Sequence, residues 1–217
     1  MFHTSEVLWV AATNTHVIST EPGGLGVIID APPDPDGVVS LLESYDITPV
    51  ALLVTHGHID HAGGVGEVVR RTGVSAYVHP DDDFLTMDPE TQLRRLFGAV
   101  PPGEYAPPDN FQSLTDGENL ELGGFSIEVR QTPGHTPGHC VFYLPDEGVL
   151  FSGDQLFAGS VGRTDLPGGD QDALWVSMKR RVMDLEDEVR VLTGHGEETT
   201  IGRERATNPF RGYWEQG

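Results

Sequence analysis

The sequence predicts an α/β protein in which two sheets pack together and helices lie on the outside. Strand-like runs occur in two groups along the chain, and each group is mixed with helical patterns. Elements ordered in this way bury their apolar faces in layers of sheet and helix. At 217 residues the chain is long enough for one large core, and we expect a single domain over residues 1–217.

The first group of elements combines the strands of an opening meander with two helices. Asp36–Tyr45 has helical apolar spacing, with an aspartate in its first turn. Pro49–Thr55 is a continuous apolar run of the length expected for a strand buried on both faces. In chain order the predicted elements are the strands Val7–Thr13, His16–Thr20 and Gly26–Asp30, the helix Asp36–Tyr45, the strand Pro49–Thr55, the helix Ala62–Thr72 and the strand Ser75–His79.

The second group follows a stretch of weak pattern, from Pro80 to Asp116, in which paired prolines interrupt regular structure. Such a stretch forms a lid or binding wall about as often as a plain surface excursion. The only cysteine, Cys140, begins an apolar strand, and we expect it to be buried. The predicted elements are the strands Asn119–Leu122, Phe125–Thr132, Cys140–Leu144 and Val149–Ser152, the helix Asp172–Leu185, the strand Val189–Thr193 and a short helix near Ile201–Ala206.

The charge of the chain limits its partners. With 34 acidic and 13 basic residues the formal net charge is −21, which repels phosphate backbones and anionic membrane surfaces. We therefore expect a small-molecule substrate and neither a nucleic-acid nor a membrane partner. The N-terminal sequence has no basic region followed by an apolar run, and no segment approaches the roughly 20 apolar residues of a membrane span. The cytoplasm is the expected location.

The densest group of chemically active residues directly follows the buried strand Pro49–Thr55. The sequence there reads THGHIDHAGG and places His56, His58, Asp60 and His61 in one short loop. His56 and His58 can converge on one metal ion while Asp60 and His61 turn towards a second. Imidazole and carboxylate groups suit zinc and similar first-row ions. The alternative for this segment alone is a histidine-rich surface loop.

Three later segments favour the metal site over that alternative. TPGHTPGH places His135 in a turn after a strand, FSGD ends another strand at Asp154, and TGHG ends the last strand at His195. Each candidate ligand follows the C-terminal end of a strand, where a rigid sheet can aim a loop side chain. His139, four residues after His135, is expected to line the site or satisfy a backbone group. His3 and His16 have no supporting context.

In these segments the sequence resembles the metallo-β-lactamase superfamily, whose T-H-x-H-x-D-H loop and later ligand segments it matches in order. The resemblance implies an αββα sandwich, with two mixed sheets face to face and helices outside. It also implies two divalent ions per chain, expected to be zinc, with iron or manganese as alternatives. Carried over residue by residue, one ion takes His56, His58 and His135, and the other takes Asp60, His61 and His195. Asp154 bridges them together with a water or hydroxide, and His79 lies nearby without binding metal.

Two further segments look like those of the short glyoxalase II-type hydrolases. These are GSVGRTDLPGG from Gly159 to Gly169, and the tail containing TTIG and TNPF. This resemblance implies a thioesterase that cleaves an acyl-thiol such as S-lactoylglutathione with a metal-bound hydroxide, with Asp60 and Asp154 as catalytic carboxylates. Full-length glyoxalase II adds a C-terminal helical domain that contacts glutathione. We expect no such domain here, so the sequence leaves the acyl group and the thiol of the substrate open.

Two alternative activities share the predicted ligands. A persulfide dioxygenase of the same superfamily would bind a single iron through His56, His135 and Asp154, although the LPGG after GRTD favours the hydrolase. A lactone or ester hydrolase would use the same site. Arg163 is the basic residue closest in sequence after Asp154 within the glycine-rich loop. It either binds a substrate carboxylate or holds the loop through Asp165.

Overall fold

The computed structural model describes residues 1–216, which form an α/β structure with two six-stranded mixed sheets and several helices. The chain divides into two compact units. The first unit comprises Met1–Leu114 with Glu121–Phe125, and the second comprises Thr115–Leu120 with Ser126 and the residues after it. The predicted fold class, with two mixed sheets and helices, is confirmed.

The sheet of the first unit has its strands in sequence order, from β1 to β6. The first three strands pair antiparallel, and β3, β4, β5 and β6 pair parallel. The strands are β1 Phe2–Leu8, β2 Thr13–Ser19, β3 Leu25–Ile29, β4 Thr48–Leu53, β5 Ser75–Val78 and β6 Gln112–Ser113. The helices are α1 Pro35–Ser44, α2 Ile59–Ala62, α3 Val65–Thr72, α4 Asp83–Thr86 and α5 Pro89–Phe97.

Helix α1 connects the parallel strands β3 and β4, which need a crossover because the end of β3 and the start of β4 lie at opposite edges of the sheet. Asp34 caps the helix by accepting a hydrogen bond from the Gly37 amide at 3.1 Å, and Pro35 occupies the first turn, where a missing N–H costs nothing. Val38, Leu41 and Leu42 bury one face of the helix in the core of the first unit. The prediction of a helix over Asp36–Tyr45 is therefore confirmed.

The second sheet has the strand order β14-β13-β10-β9-β8-β7. Only β10 and β13 pair parallel among the pairs with a described register, and the others pair antiparallel. The strands from β7 onward are β7 Asn119–Leu122, β8 Phe125–Gln131, β9 Cys140–Leu144, β10 Val149–Gly153, the small hairpin of β11 Leu156–Phe157 and β12 Ser160–Val161, β13 Arg190–Thr193 and β14 Thr199–Thr200. The helices are α6 Gln171–Ser177, continued by a π-helical turn Met178–Val182, α7 Ile201–Thr207 and α8 Arg211–Gln216.

Three sequence predictions differ from the structure. The predicted strand Val7–Thr13 is wrong, because β1 ends at Leu8 and a turn follows in which Trp9 and Ala12 have positive φ values of 60° and 56°. The weak stretch after Pro80 contains α4 and α5, which are short helices flanked by proline and aspartate. The tail contains α8 in addition to the predicted helix.

Two other expectations about the chain can be compared with the structure. Cys140 is the first residue of β9 and is 0% exposed, so its predicted burial is confirmed. None of the helices in the described part of the chain combines the length and hydropathy that a bilayer-spanning helix needs.

Candidate metal centre

The loop that carries the first four candidate ligands begins where two parallel strands of the first unit end together. Ile29 of β3 is paired with Leu53 of β4, and the Asp30 amide donates a hydrogen bond to the Leu53 carbonyl at 2.9 Å. Parallel neighbours deliver their following residues to the same edge of the sheet. Asp30 and Thr55 therefore leave the sheet side by side.

The four predicted ligands of this loop come together within the first unit. Nε2 of His56 lies 3.1 Å from Nδ1 of His58, and Nε2 of His61 lies 3.6 Å from a carboxylate oxygen of Asp60. The rings of His56 and His61 are 4.2 Å apart between centroids. All three imidazoles are buried, and Asp60 is partly exposed. The loop thus gathers three imidazoles and a carboxylate, and residues 56–61 include no lysine or arginine.

Asp30 organises this loop, although the sequence analysis did not single it out as a site residue. Its carboxylate accepts hydrogen bonds from the Thr55 amide at 2.7 Å and from the Thr55 hydroxyl at 2.8 Å. The same carboxylate lies 2.8 Å from Nδ1 of His61. A carboxylate can only accept there, so Nδ1 carries the proton and Nε2 is presented as a ligand atom. One signal in the sequence could have pointed to Asp30. It directly follows an apolar strand, as the candidate ligand Asp154 does.

Asp30→Asn is expected to lower the free energy of unfolding by about 1–3 kcal/mol, because a carboxamide cannot accept from all the buried donors that the carboxylate satisfies. The same change should weaken metal binding by roughly 10–100-fold, since His61 loses its orienting partner. Denaturant unfolding and chelator competition measure the two effects. Asp46→Asn is the matched control, because Asp46 is exposed and has a similar positive φ of 54° against 61° for Asp30. Equal effects of the two substitutions would contradict this role of Asp30.

The second unit presents the other three candidate ligands from the ends of β8, β10 and β13. Strand β9 pairs antiparallel with both β8 and β10, and β13 pairs parallel with β10, so the three strands run in one direction. His135, Asp154 and His195 follow these strands, and they therefore leave the sheet at the same edge.

Asp154 lies between the two imidazoles of this group. Its Oδ2 atom is 3.5 Å from Nε2 of His135 and 3.6 Å from Nε2 of His195. Asp154 and His135 are buried, whereas the side chain of His195 is 26% exposed. One carboxylate oxygen thus faces two imidazole nitrogens, an arrangement that a shared metal ligand requires.

His135 is oriented by the backbone of the glycine-rich loop that follows Asp154. Its Nδ1 donates to the Arg163 carbonyl at 2.7 Å, which leaves Nε2 as the ligand atom. Glycine is required on both sides of this contact. A Cβ at Gly134, whose φ is +145°, would lie 2.4 Å from Cα of Leu174, and a Cβ at Gly162 would lie 1.9 Å from the Asp154 carbonyl oxygen. These close approaches fix the loop against both ligands.

His139 satisfies a backbone group, which was one of the two roles expected from the sequence. Its Nε2 accepts a hydrogen bond from the Asp154 amide at 3.1 Å, and its Nδ1 lies 2.8 Å from the Thr132 hydroxyl. The ring is 0% exposed. His139 therefore holds the backbone of a candidate ligand and uses its Nε2 in doing so. His79 accepts the Asp81 amide at Nδ1, as the cap of a short helical turn.

The donor atoms fit a divalent ion by their spacing. Zinc–nitrogen bonds of 2.0–2.1 Å in tetrahedral geometry place neighbouring ligand atoms about 3.3 Å apart. The four pairs measured within the two units are 3.1, 3.6, 3.5 and 3.6 Å apart. Imidazole nitrogens and carboxylate oxygens packed this closely in buried positions need a positive charge to compensate them. Each group of residues is therefore suited to metal binding by its geometry and by its chemistry.

The side chain of Arg163 is exposed and forms a bidentate ion pair with Asp165, with N–O distances of 2.6 and 2.7 Å. The hydrogen bonds from Arg163 lower the pKa of Asp165 from 3.8 to about 2, and the pairing raises the pKa of Arg163. In the structure the guanidinium thus holds its own loop, which was one of the two predicted roles.

The depressed pKa of Asp165 gives a pH prediction. A carboxyl with a lowered pKa in the folded state adds stability that is complete above its ordinary pKa of 3.8 and is lost as the pH falls towards 2. We expect the Asp165 carboxyl to titrate near 2 in a ¹³C NMR experiment, and at a higher pH, closer to 3.8, in an Arg163→Gln variant. An unchanged midpoint in the variant would show that Arg163 is not the cause.

Comparison with known proteins identifies the family. The profile of the family described as the metallo-beta-lactamase superfamily matches residues 8–195. The hydroxyacylglutathione hydrolase GloC of Haemophilus influenzae is 36% identical over 183 residues, which cover 84% of this chain and 85% of that protein. The crystal structure of the BLEG-1 B3 metallo-beta-lactamase superposes with a TM-score of 0.88 at 36% identity, over 97% of this chain and 99% of that one. That of TTHA1623 in a di-iron-bound form has a TM-score of 0.85 at 39% identity, over 95% and 99% of the two chains.

The family match spans all seven candidate ligands, and the structural neighbours share the arrangement of two mixed sheets with helices. The metal-binding groups of histidine and aspartate fit the chemistry of such a family. The chain belongs to the metallo-β-lactamase superfamily, and it is a metal-dependent hydrolase with the fold of that family.

Proposed function

We propose that the chain hydrolyses a small-molecule thioester at a binuclear metal centre assembled from both groups of ligands. One ion would be held by His56, His58 and His135, and the other by Asp60, His61 and His195. Asp154 would serve as a ligand to both. The observation that carries this proposal is the spacing of the donor atoms, which suits divalent ions in each unit. The similarity to hydroxyacylglutathione hydrolase GloC supports the thioester, and GSVGRTDLPGG supports the same branch of the family.

When bound, divalent ions lower the pKa of coordinated water to about 7 and polarise the substrate carbonyl. The residues of the chain provide the framework for that chemistry. Asp30 and the Arg163 carbonyl keep the Nδ1 protons of His61 and His135 in place, so the Nε2 atoms stay available as ligands. Asp60 is partly exposed and Asp154 is buried, so Asp60 is the carboxylate that can accept a hydrogen bond from an incoming water.

The overall reaction is balanced without a covalent enzyme intermediate. The oxygen of water bonds to the thioester carbon, the carbon–sulfur bond breaks, and the products are a carboxylate, a thiol and one released proton. The water supplies the proton that the departing sulfur needs. No serine or cysteine nucleophile is required, in keeping with the buried position of Cys140.

Zinc is the metal that we propose, because three-histidine and mixed histidine–aspartate sets suit it well. The same ligands accept iron and manganese. The similarity to a protein crystallised in a di-iron-bound form makes iron the first alternative to examine. We also propose that Arg163 acts through its loop, and that anionic polymers and membranes are not partners of a chain with a net charge of −21.

Elemental analysis combined with a substrate panel tests the proposal. The purified chain, loaded separately with zinc, iron or manganese, is expected to bind two ions and to release thiol from S-lactoylglutathione or a related acyl-thiol. The panel also contains a lactone, a simple ester and a chromogenic cephalosporin, the last because of the similarity to a B3 metallo-beta-lactamase. If the protein cleaved one of these three substrates but no thioester, the proposed substrate class would be wrong. The proposed binuclear metal centre would still stand.

A second activity predicted from the sequence has a different outcome in the same experiment. A persulfide dioxygenase would bind one iron per chain through His56, His135 and Asp154, and would consume oxygen with a persulfide substrate. If the chain bound one ion and consumed oxygen with the persulfide, the dioxygenase activity would replace the proposed hydrolase activity. The four donors gathered in the loop after β4 favour two ions, because that oxygenase needs only one of them.

A further inference from the structure

We propose that Gln92 is a positioning residue that holds His58 in its metal-binding orientation, with Asp82 as its partner. These two side chains, which lie in the segment from Pro80 to Phe97, would then brace the metal loop from outside. This inference rests on the proposed function only in taking His58 as a metal ligand. It assigns a role to a stretch in which the sequence pattern is weak.

The side-chain amide of Gln92 binds both peptide groups that flank His58. Its Nε2 donates to the Gly57 carbonyl at 3.0 Å, and its Oε1 accepts from the Ile59 amide at 3.0 Å. The Gly57 carbonyl belongs to the peptide before His58, and the Ile59 amide belongs to the peptide after it. One carboxamide therefore holds the peptide planes on both sides of His58. This restricts rotation about the φ and ψ bonds of that residue.

Two further contacts secure this arrangement. The Gly57 amide donates to a carboxylate oxygen of Asp82 at 2.7 Å, and Asp82 is 0% exposed. Gln92 also donates to the Leu85 carbonyl at 3.0 Å, which ties α5 to α4 beneath the loop. A Cβ at Gly57 would lie 2.8 Å from Cβ of Leu85 and 3.0 Å from the Asp82 carbonyl oxygen. The loop thus packs closely enough on this segment that only glycine fits.

His58 differs from two other ligands in how its ring can be held. His61 and His135 are oriented through Nδ1 by a carboxylate and by a carbonyl. In His58, Nδ1 faces Nε2 of His56 at 3.1 Å and is the atom expected to bind metal, so this nitrogen cannot also bind an orienting partner. The position of Nδ1 is also set by the His58 backbone, whose φ of −65° and ψ of 146° Gln92 constrains from both sides.

A carboxamide meets these requirements, because it offers two N–H donors and a carbonyl acceptor on one planar group. Methionine has a similar length and helix propensity but forms none of these hydrogen bonds. Gln92→Met is therefore the informative variant. Leu93→Ala is its control, since Leu93 is the neighbouring residue on α5, is 0% exposed, and can make no side-chain hydrogen bond to the loop.

The experiment measures the affinity of the full-length protein for zinc by competition with a chromogenic chelator, and its thermal unfolding with and without zinc. Gln92→Met is expected to weaken binding of one ion by about 10–100-fold, as loss of an outer hydrogen-bonding partner of a ligand typically does. Leu93→Ala is expected to lower the unfolding temperature equally with and without zinc, and to leave the affinity within about threefold of the parent.

Two results would overturn the inference. Parental zinc affinity in Gln92→Met would show that the hydrogen bonds serve folding alone, and so would an equal loss of affinity in Leu93→Ala. The readout is ion affinity and not turnover, so it is independent of the substrate. A parent protein that takes up no divalent ion would overturn both this inference and the proposed function, whereas a parent that binds zinc without cleaving thioesters would affect only the latter.

Discussion

His58→Ala is expected to lower turnover by at least roughly a thousandfold and to remove one of two bound ions. The reason is that free water has a very high pKa and is a poor nucleophile at neutral pH, whereas coordination to a metal ion lowers this pKa to about 7. In the proposed centre His56 and His58 bind the same ion. Nε2 of His56 lies 3.1 Å from Nδ1 of His58, and alanine at position 58 removes one of these two nitrogens. Ion content and steady-state kinetics, measured on the same sample, check the result.

His79→Ala is the matched control for this experiment. His79 is also a buried imidazole that follows a strand of the first unit, but it accepts a backbone amide at Nδ1. It should keep both ions and most of the activity. Full turnover in a metal-free His58→Ala protein would refute the metal-dependent scheme. A loss of metal from both variants would show that histidine burial, and not ligation, explains the effect.

Asp154→Asn is expected to reduce the ion content from two to one or fewer and turnover by more than about a hundredfold. Loss of an outer partner of a ligand alone costs about 10–100-fold, and a direct ligand costs more. Asparagine keeps the shape of the side chain while removing the negative charge that faces Nε2 of His135 and Nε2 of His195. Elemental analysis at several zinc concentrations would show the lost ion as a second, weaker binding event.

The control for this variant is Asp146→Asn, an exposed aspartate in the short turn between β9 and β10. It removes the same charge from the same unit and should leave ion content and turnover unchanged. If Asp154→Asn retained two tightly bound ions, the carboxylate would not be shared between them, and each ion would be held by its own residues.

The candidate ligands could be predicted from the sequence because their signals are local. Four of them lie within one loop, and the others follow strands whose apolar runs are easy to recognise, so the end of each strand indicates where a side chain is aimed. The residues that orient the ligands are a different case. Asp30 contacts His61 across 31 positions, and Gln92 contacts Ile59 across 33 positions. No short pattern in the sequence joins such partners.

The secondary structure shows the same distinction between local and non-local causes. Strand β9 was predicted with its observed bounds, Cys140–Leu144, because its apolar run is continuous. The strand predicted over Val7–Thr13 failed because apolar residues there continue into a turn with positive φ values at Trp9 and Ala12, which neither residue type signals. Helix α5 escaped prediction because it is short and one residue, Leu93, forms its buried face.

The burial of the only sulfhydryl has a practical consequence for enzymology. Cys140 is 0% exposed within β9, so a colorimetric disulfide reagent added to the folded protein should react with released thiol product and scarcely with the protein. The proposed hydrolysis of acyl-thiols can therefore be followed continuously and at high protein concentration. A slow rise in colour without substrate would instead report global opening of the second sheet.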